Sequence, residues 1–334
     1  MRTALIFPGF GAFYPAAFSG CAEAETEAEP VITEVDEVTA RYGLPSVREA
    51  LLGAPDAEAG AGVWDCRDTR ALEIFAGQVV CHRILRRLLG VREQVVCGHS
   101  LGEYAALVAA EGLTVRAAAQ LLCERITAVR SHTVPAGRML AVPLSRERAR
   151  RLAAQETDVV IAAVNAPEQV VLSGPAERID RVREAALAAG VRAVRLRTDP
   201  CPHHHPLLTP VFRHCAAASR PVPRQRPSRP VYGPVLGRAY LPCDDLAETL
   251  ALQMVLPVDF ARAVRDLYDD GIRLFIECGL KHTLSDLVEA GVPDARTLAP
   301  FRTRLNRERL CDASTEIRAG TTTGGPACPL TATN

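Results

Sequence analysis

The sequence predicts an α/β chain, with a large subdomain built on a parallel sheet and interrupted by a small subdomain of ferredoxin-like βαββαβ order. Three observations carry this. Ala4-Leu5-Ile6-Phe7 is a short apolar run broken by turn formers, as a buried strand requires, and residues 91–97 read as a second strand leading into a glycine-rich turn. Around them lie stretches with apolar residues at helical spacing, so helix and strand alternate. Residues 138–197 then read strand, helix, strand, strand, helix, strand.

Taken in order, the first run feeds the turn-forming loop Pro8-Gly9-Phe10-Gly11. Residues 22–37, acidic and alanine-rich, are expected to be a solvated helix or loop. Leu72, Phe75, Val79, Ile84 and Leu88 suit a helix over 69–89, and the strand at 91–97 runs straight into Gly98-His99-Ser100-Leu101-Gly102. Helix formers at 103–110 follow, which places Ser100 at the apex of a strand–turn–helix. In the insert, strands at 139–143, 159–164, 170–173 and 191–196 enclose helices at 146–154 and 176–189. Alternation resumes with a helix at 207–218, a proline-rich loop at 221–230 and a strand at 231–236. Helices at 246–254, 260–269 and 283–288 flank a last strand at 274–276. The division expected is 1–136 with 198–310 for the large subdomain and 137–197 for the small one. The Thr-, Gly- and Pro-rich tail, 311–334, is expected to be disordered.

Composition narrows the function classes. Thirty-nine basic residues balance 39 acidic ones and pI is ≈ 7.1, so neither nucleic acid nor an anionic membrane is selected by bulk charge. Aromatics at 5% disfavour base-stacking platforms. No run approaches the about 18 apolar residues of a bilayer span, and the first apolar run is too short for a signal peptide, so a cytoplasmic chain is expected. The 11 cysteines are dispersed with no CxxC pair, which predicts buried apolar thiols.

GxSxG between a strand and a helix holds a serine in a strained elbow, its Oγ exposed and the next backbone N–H aimed at an oxyanion. Ser100 is therefore the candidate nucleophile, backed by a helix N-terminus that favours negative charge. Its base is sought among eight histidines. His99 is adjacent to the serine, so its ring is expected to point elsewhere, and His203-His204-His205 is the better source. The same triplet with Cys201 suggests a metal, but neighbours in extended chain alternate faces, so no metal site is expected.

Phe7-Pro8-Gly9-Phe10-Gly11, Gly98-His99-Ser100-Leu101-Gly102-Glu103-Tyr104-Ala105-Ala106-Leu107, Arg125, Val164-Asn165-Ala166-Pro167-Glu168-Gln169-Val170-Val171, His204-His205-Pro206-Leu207 and Pro257-Val258-Asp259-Phe260 stand in a characteristic order and spacing. Over roughly residues 1–300 the chain resembles the malonyl-CoA:acyl carrier protein transacylase family, which includes polyketide synthase acyltransferases. The resemblance implies an α/β-hydrolase-like large subdomain with Ser100 as nucleophile and His204 as base. It implies a backbone carbonyl near Leu256 to orient the imidazole, and oxyanion donors at the N–H groups of Leu101 and Phe10. Arg125 matches the arginine that clamps a malonyl carboxylate, and His99, His203 and Asn165 fall in the substrate site. Implied too are a CoA thioester donor with no resident cofactor, and an acidic acyl carrier protein that takes the acyl group on phosphopantetheine. Arg83, Arg86 and Arg87, or Arg220, Arg224, Arg226 and Arg229, are the candidate docking clusters, and a monomer is expected.

The chain departs from the family pattern at Phe10 in place of glutamine, Ile126 in place of glycine, His203 in place of phenylalanine, and Ala71-Leu72 where Gln-Pro is usual. Phe10, Ile126 and His203 favour a second reading, transfer of an unusual acyl or aminoacyl group between two carrier proteins. Hydrolysis of stalled acyl chains ranks third, because Arg125 is present. An unrelated α/β-hydrolase esterase would need an acid between serine and histidine, and a lid in place of the insert.

Overall fold

A computed structural model describes residues 1–54 and 69–321. The chain opens with strand β1 (Thr3–Phe7), then helices α1 (Ala22–Arg41), α2 (Arg48–Leu52) and α3 (Arg70–Arg87), strand β2 (Val95–Gly98), and helices α4 (Gly102–Ala109) and α5 (Val115–Ser131). The insert follows as β3 (Gly137–Val142), α6 (Arg146–Ala153), β4 (Val160–Ala166), β5 (Gln169–Pro175), α7 (Ala176–Ala188) and β6 (Val194–Arg195). Next come α8 (Thr209–Ser219), β7 (Val231–Gly233), β8 (Arg238–Ala239), α9 (Leu246–Leu252), β9 (Val258–Asp259) and α10 (Phe260–Asp269). β10 (Leu274–Glu277), α11 (Thr283–Gly291), β11 (Arg296–Leu298) and α12 (Arg307–Thr321) complete the described chain.

The large sheet runs β11-β10-β1-β2-β7-β8, parallel except for the short antiparallel β8. β1 and β2 are its centre and are buried throughout, which is why Ala4–Phe7 and Val95–Cys97 are apolar without interruption. The small sheet runs β6-β3-β5-β4-β9, and its first four strands in that order are the ferredoxin-like arrangement. β9, from beyond the insert, adds to β4 in parallel, Ala163 opposite Val258 and Val164 opposite Asp259. The small sheet thus extends past the 137–197 segment, and Met139, Ala163 and Val171 share one apolar cluster with Phe260 and with Ile6, Cys97 and Phe275 of the large sheet, which joins the two sheets.

Two expectations are corrected. The acidic stretch from Ala22 is a 20-residue helix that buries Ala24, Ala28, Val31, Ile32, Val35 and Val38, a stripe that its exposed glutamates conceal in composition. Residues 307–321 form α12, with Leu310, Ala313 and Ile317 buried, so the expected disorder does not hold over 311–321. The rest of that tail, 322–334, lies outside the described residues. Among the described residues no helix is long and apolar enough to cross a membrane. Of the described cysteines, only Cys243 is exposed and Cys311 half-buried.

Candidate active site

Ser100 sits on the turn between β2 and α4 with φ +53°. That left-handed backbone costs a non-glycine residue about 1–2 kcal/mol. The flanking glycines make the turn possible: a Cβ at Gly98 would lie 2.3 Å from the Glu103 backbone, and one at Gly102 2.0 Å from the Phe7 carbonyl. The elbow is thereby pressed against the loop after β1.

Ser100 Oγ donates to His204 Nε2 at 2.8 Å, and His204 Nδ1 donates to the Leu256 carbonyl at 3.0 Å. A carbonyl can only accept, so the hydrogen is fixed on Nδ1 and a lone pair on Nε2 faces the serine. The Leu256 side chain is itself exposed, so the position acts through its backbone. Burial, with His203, His99 and Arg125 close by, lowers the His204 imidazole to about 3, so the ring is neutral and able to take a proton. The N–H groups of Leu101 and Phe10 make no backbone hydrogen bond among the described residues. Leu101 follows the serine directly, and the loop that carries Phe10 approaches it, since a Cβ on Gly9 would be 3.6 Å from Ser100 Cβ. Two such donors suit a developing oxyanion.

The three consecutive histidines diverge. His205 Nδ1 accepts from Leu207 N–H at 3.0 Å and caps the short turn that leads into α8, while its Nε2 donates to the Asp158 carbonyl at 2.9 Å. His203 points to Arg125, whose Nη2 donates to His203 Nδ1 at 3.3 Å, and its Nε2–H donates to Asp199. Burial raises the Asp199 carboxyl, but His203 and Arg125 outweigh it and hold the group below its ordinary value. Arg125 is buried on α5, not on a helix surface, and also bonds Tyr104. Ligand atoms of Asp199, Cys201 and His203 lie within 4.8 Å of one another. The arginine already supplies a cation there, and the hydrogen on His203 Nε2 closes the lone pair an ion would need.

A cavity of about 470 Å³ opens over Ser100 between the two sheets. Phe10, His99, Asn165, His203 and His204 line it, but Arg125 does not, standing behind His203. His99, expected to point elsewhere, borders the cavity and donates from Nε2 to Asn165 Oδ1 at 2.8 Å. Asn165 Nδ2 in turn donates to Gln169 at 3.1 Å. Met139, Ala141 and Val171 make an apolar floor from the small sheet.

Sequence reading missed Asp199 and Glu103. The fully buried Glu103 carboxyl accepts from Tyr240 at 2.7 Å and from Gln253, tying the serine helix to the segment that carries the Leu256 carbonyl. Burial raises Glu103 to about 8. The two arginine clusters also differ from expectation. Arg83 and Arg87 pair with Glu27, Arg86 and Arg229 with Glu93, and Arg224 bonds backbone carbonyls. Glu93 precedes β2 whereas Ser100 follows it, so Arg86 and Arg229 lie at the end of that strand opposite the site.

With this geometry, comparison with known proteins is specific. The acyl transferase domain family matches residues 21–309. The 5-methyl-1-naphthoate synthase of Streptomyces sahachiroi is 30% identical over 315 residues, 92% of this chain and only 17% of that synthase's length. The acyltransferase domain from the second module of the salinomycin polyketide synthase superposes with TM-score 0.77 at 28% identity, over 97% of this chain and 78% of that one. A malonyl-transacylase solved in complex with its type II polyketide synthase acyl-carrier protein has TM-score 0.81 at 23% identity, over 95% and 100% of the two chains, a likeness of fold.

Proposed function

This chain belongs to the acyl transferase domain family, and from that premise we propose that it moves an acyl group through a Ser100 ester onto the phosphopantetheine thiol of an acyl carrier protein, in polyketide or fatty-acid synthesis. The observation that carries the proposal is the bonded series Ser100–His204–Leu256, buried and fixed in the tautomer a base needs. His204 takes the serine proton as Oγ attacks the thioester carbonyl of a CoA donor. The Leu101 and Phe10 N–H groups receive the oxyanion, the C–S bond breaks, and the departing thiolate recovers the proton from His204. A carrier thiol then gives its proton to His204 and attacks the ester, and Ser100 leaves as the alcohol. No resident cofactor enters either half.

The acyl unit is malonyl or a related carboxylated group, and Arg125 is its partner. A guanidinium fork fits a carboxylate, and in the empty site His203 and Asp199 hold that fork in place and balance its charge. A substrate carboxylate takes over when it displaces His203. The second reading is transfer of an unusual acyl or aminoacyl unit between two carrier proteins. It draws on the same observation, since His203 stands between Arg125 and the cavity.

The test is a chase. Enzyme acylated on Ser100 is mixed with a holo acyl carrier protein and followed by mass. Loss of the serine adduct with matching gain on the carrier supports transfer, and loss with gain of free acid contradicts it in favour of hydrolysis.

A further inference from the structure

The apolar floor of the cavity does not stop at its mouth. β6 is the outer strand of the small sheet and, among the described residues, pairs only with β3. Val194 lies opposite Ala141, and the Leu196 N–H bonds the Met139 carbonyl at 2.9 Å. Met139, Ala141 and Leu196 all line the cavity over Ser100, so the row continues outward from the serine to Val194 and Leu196, which are 44% and 38% exposed. Both belong to the few large apolar side chains the described surface leaves in water.

Charge frames the same edge. Arg192, Arg195 and Arg197 are exposed and alternate with these apolar residues. Arg195 and the neighbouring Arg138 share one carboxylate, Asp180, and neither Arg192 nor Arg197 has a carboxylate partner among the described residues. An apolar strip inside a cationic frame, continuous with a catalytic mouth, suits a partner that presents acidic groups around a small apolar contact and delivers a reactive arm inward. Of the two arginine clusters named from the sequence, Arg83 and Arg87 are paired with Glu27, and Arg86 and Arg229 with Glu93 at the end of β2 opposite Ser100.

We propose that the β6 edge, Val194 and Leu196 framed by Arg192 and Arg197, is the docking surface for the acidic carrier protein. This rests on the acyl-transfer reading above and adds to it where the carrier sits.

The experiment separates the two half-reactions. Arg192→Glu, Val194→Glu and the double variant are measured for Ser100 acylation by acyl-CoA and for transfer to a holo acyl carrier protein. The expected result is acylation within twofold of the parent and an apparent KM for the carrier at least tenfold higher in the double variant, with a flatter dependence on salt. Arg226→Glu, from the far cluster, is expected to leave both halves unchanged. A carrier KM within twofold in the double variant overturns the proposal, as does a larger loss in Arg226→Glu. An equal loss in the acylation half assigns the strip to the acyl chain and also overturns it, and a changed oligomeric state of the variants assigns it to a second copy. If parent enzyme loads Ser100 but transfers to no holo carrier, the acyl-transfer reading itself fails and the docking edge falls with it.

Discussion

The rings of Phe10 and His203 stack, with centroids 5.6 Å apart and planes inclined by 25°. Two departures from the family pattern, distant in sequence, are therefore one packed unit. Phe10 lies in the loop that approaches the serine and lays its ring over His203, while His203 spans Arg125 and Asp199 behind it. Both rings line the cavity over Ser100.

Replacing His203 by phenylalanine keeps the stack but removes the acceptor at Arg125. The fork is then offered to the substrate alone, so His203→Phe is expected to raise the ratio of malonyl to acetyl loading on Ser100 by about tenfold, the worth of about 1.4 kcal/mol. Competition between the two CoA esters, read by intact mass, checks it; an unchanged ratio contradicts it.

Arg125→Ala is expected to lower malonyl loading by about 100-fold or more, since a buried carboxylate loses its charged partner. Acetyl loading should change by no more than a few-fold. Equal malonyl loading by the variant removes Arg125 from substrate recognition.

His204 is held neutral far below the ordinary imidazole range, at about 3. The base is therefore in its active form throughout the mildly acidic range, and Ser100 acylation is expected to show no inflection between pH 5 and pH 8 that belongs to this ring. A sigmoidal loss centred near 6.5, abolished with the ring by His204→Ala, contradicts the placement.

Glu103 gives a stability test. Its carboxyl rises from an ordinary 4.5 to about 8 on folding. The folded state thus binds the proton more tightly, and the stability this confers is complete below pH 4.5 and lost as pH climbs through 8, at up to about 1.4 kcal/mol per pH unit. Turning the Gln253 amide over gives that proton an acceptor in Gln253 Oε1, which has no other partner among the described residues. Glu103→Gln mimics the protonated acid, so its denaturant midpoint should depend less on pH between 5 and 8 than the parent's. Parallel pH curves contradict this.

What the sequence made legible was local. Ser100 announces itself because strand, glycine, serine, glycine and helix are contiguous, and His204 with Leu256 followed from the resemblance. Asp199 and Glu103 carry no local signature: one is a single acid on a loop, the other sits inside the Ser100 motif but takes its meaning from Tyr240 and Gln253, 137 and 150 residues away. Arg125 was identified, yet its burial behind His203 depends on how α5 packs against the loop after β6. The edge strand read as six residues pairs over only Val194–Arg195, because register with β3, not propensity, sets its length. α12 was missed since the sequence after it dominates the composition of the tail.

The central claim is that Ser100 carries the acyl group. Intact-protein mass spectrometry after incubation with malonyl-CoA, methylmalonyl-CoA and acetyl-CoA, alongside Ser100→Ala, tests it most directly. A malonyl adduct on the parent that is absent from Ser100→Ala is the result predicted; an adduct of equal yield in Ser100→Ala contradicts it.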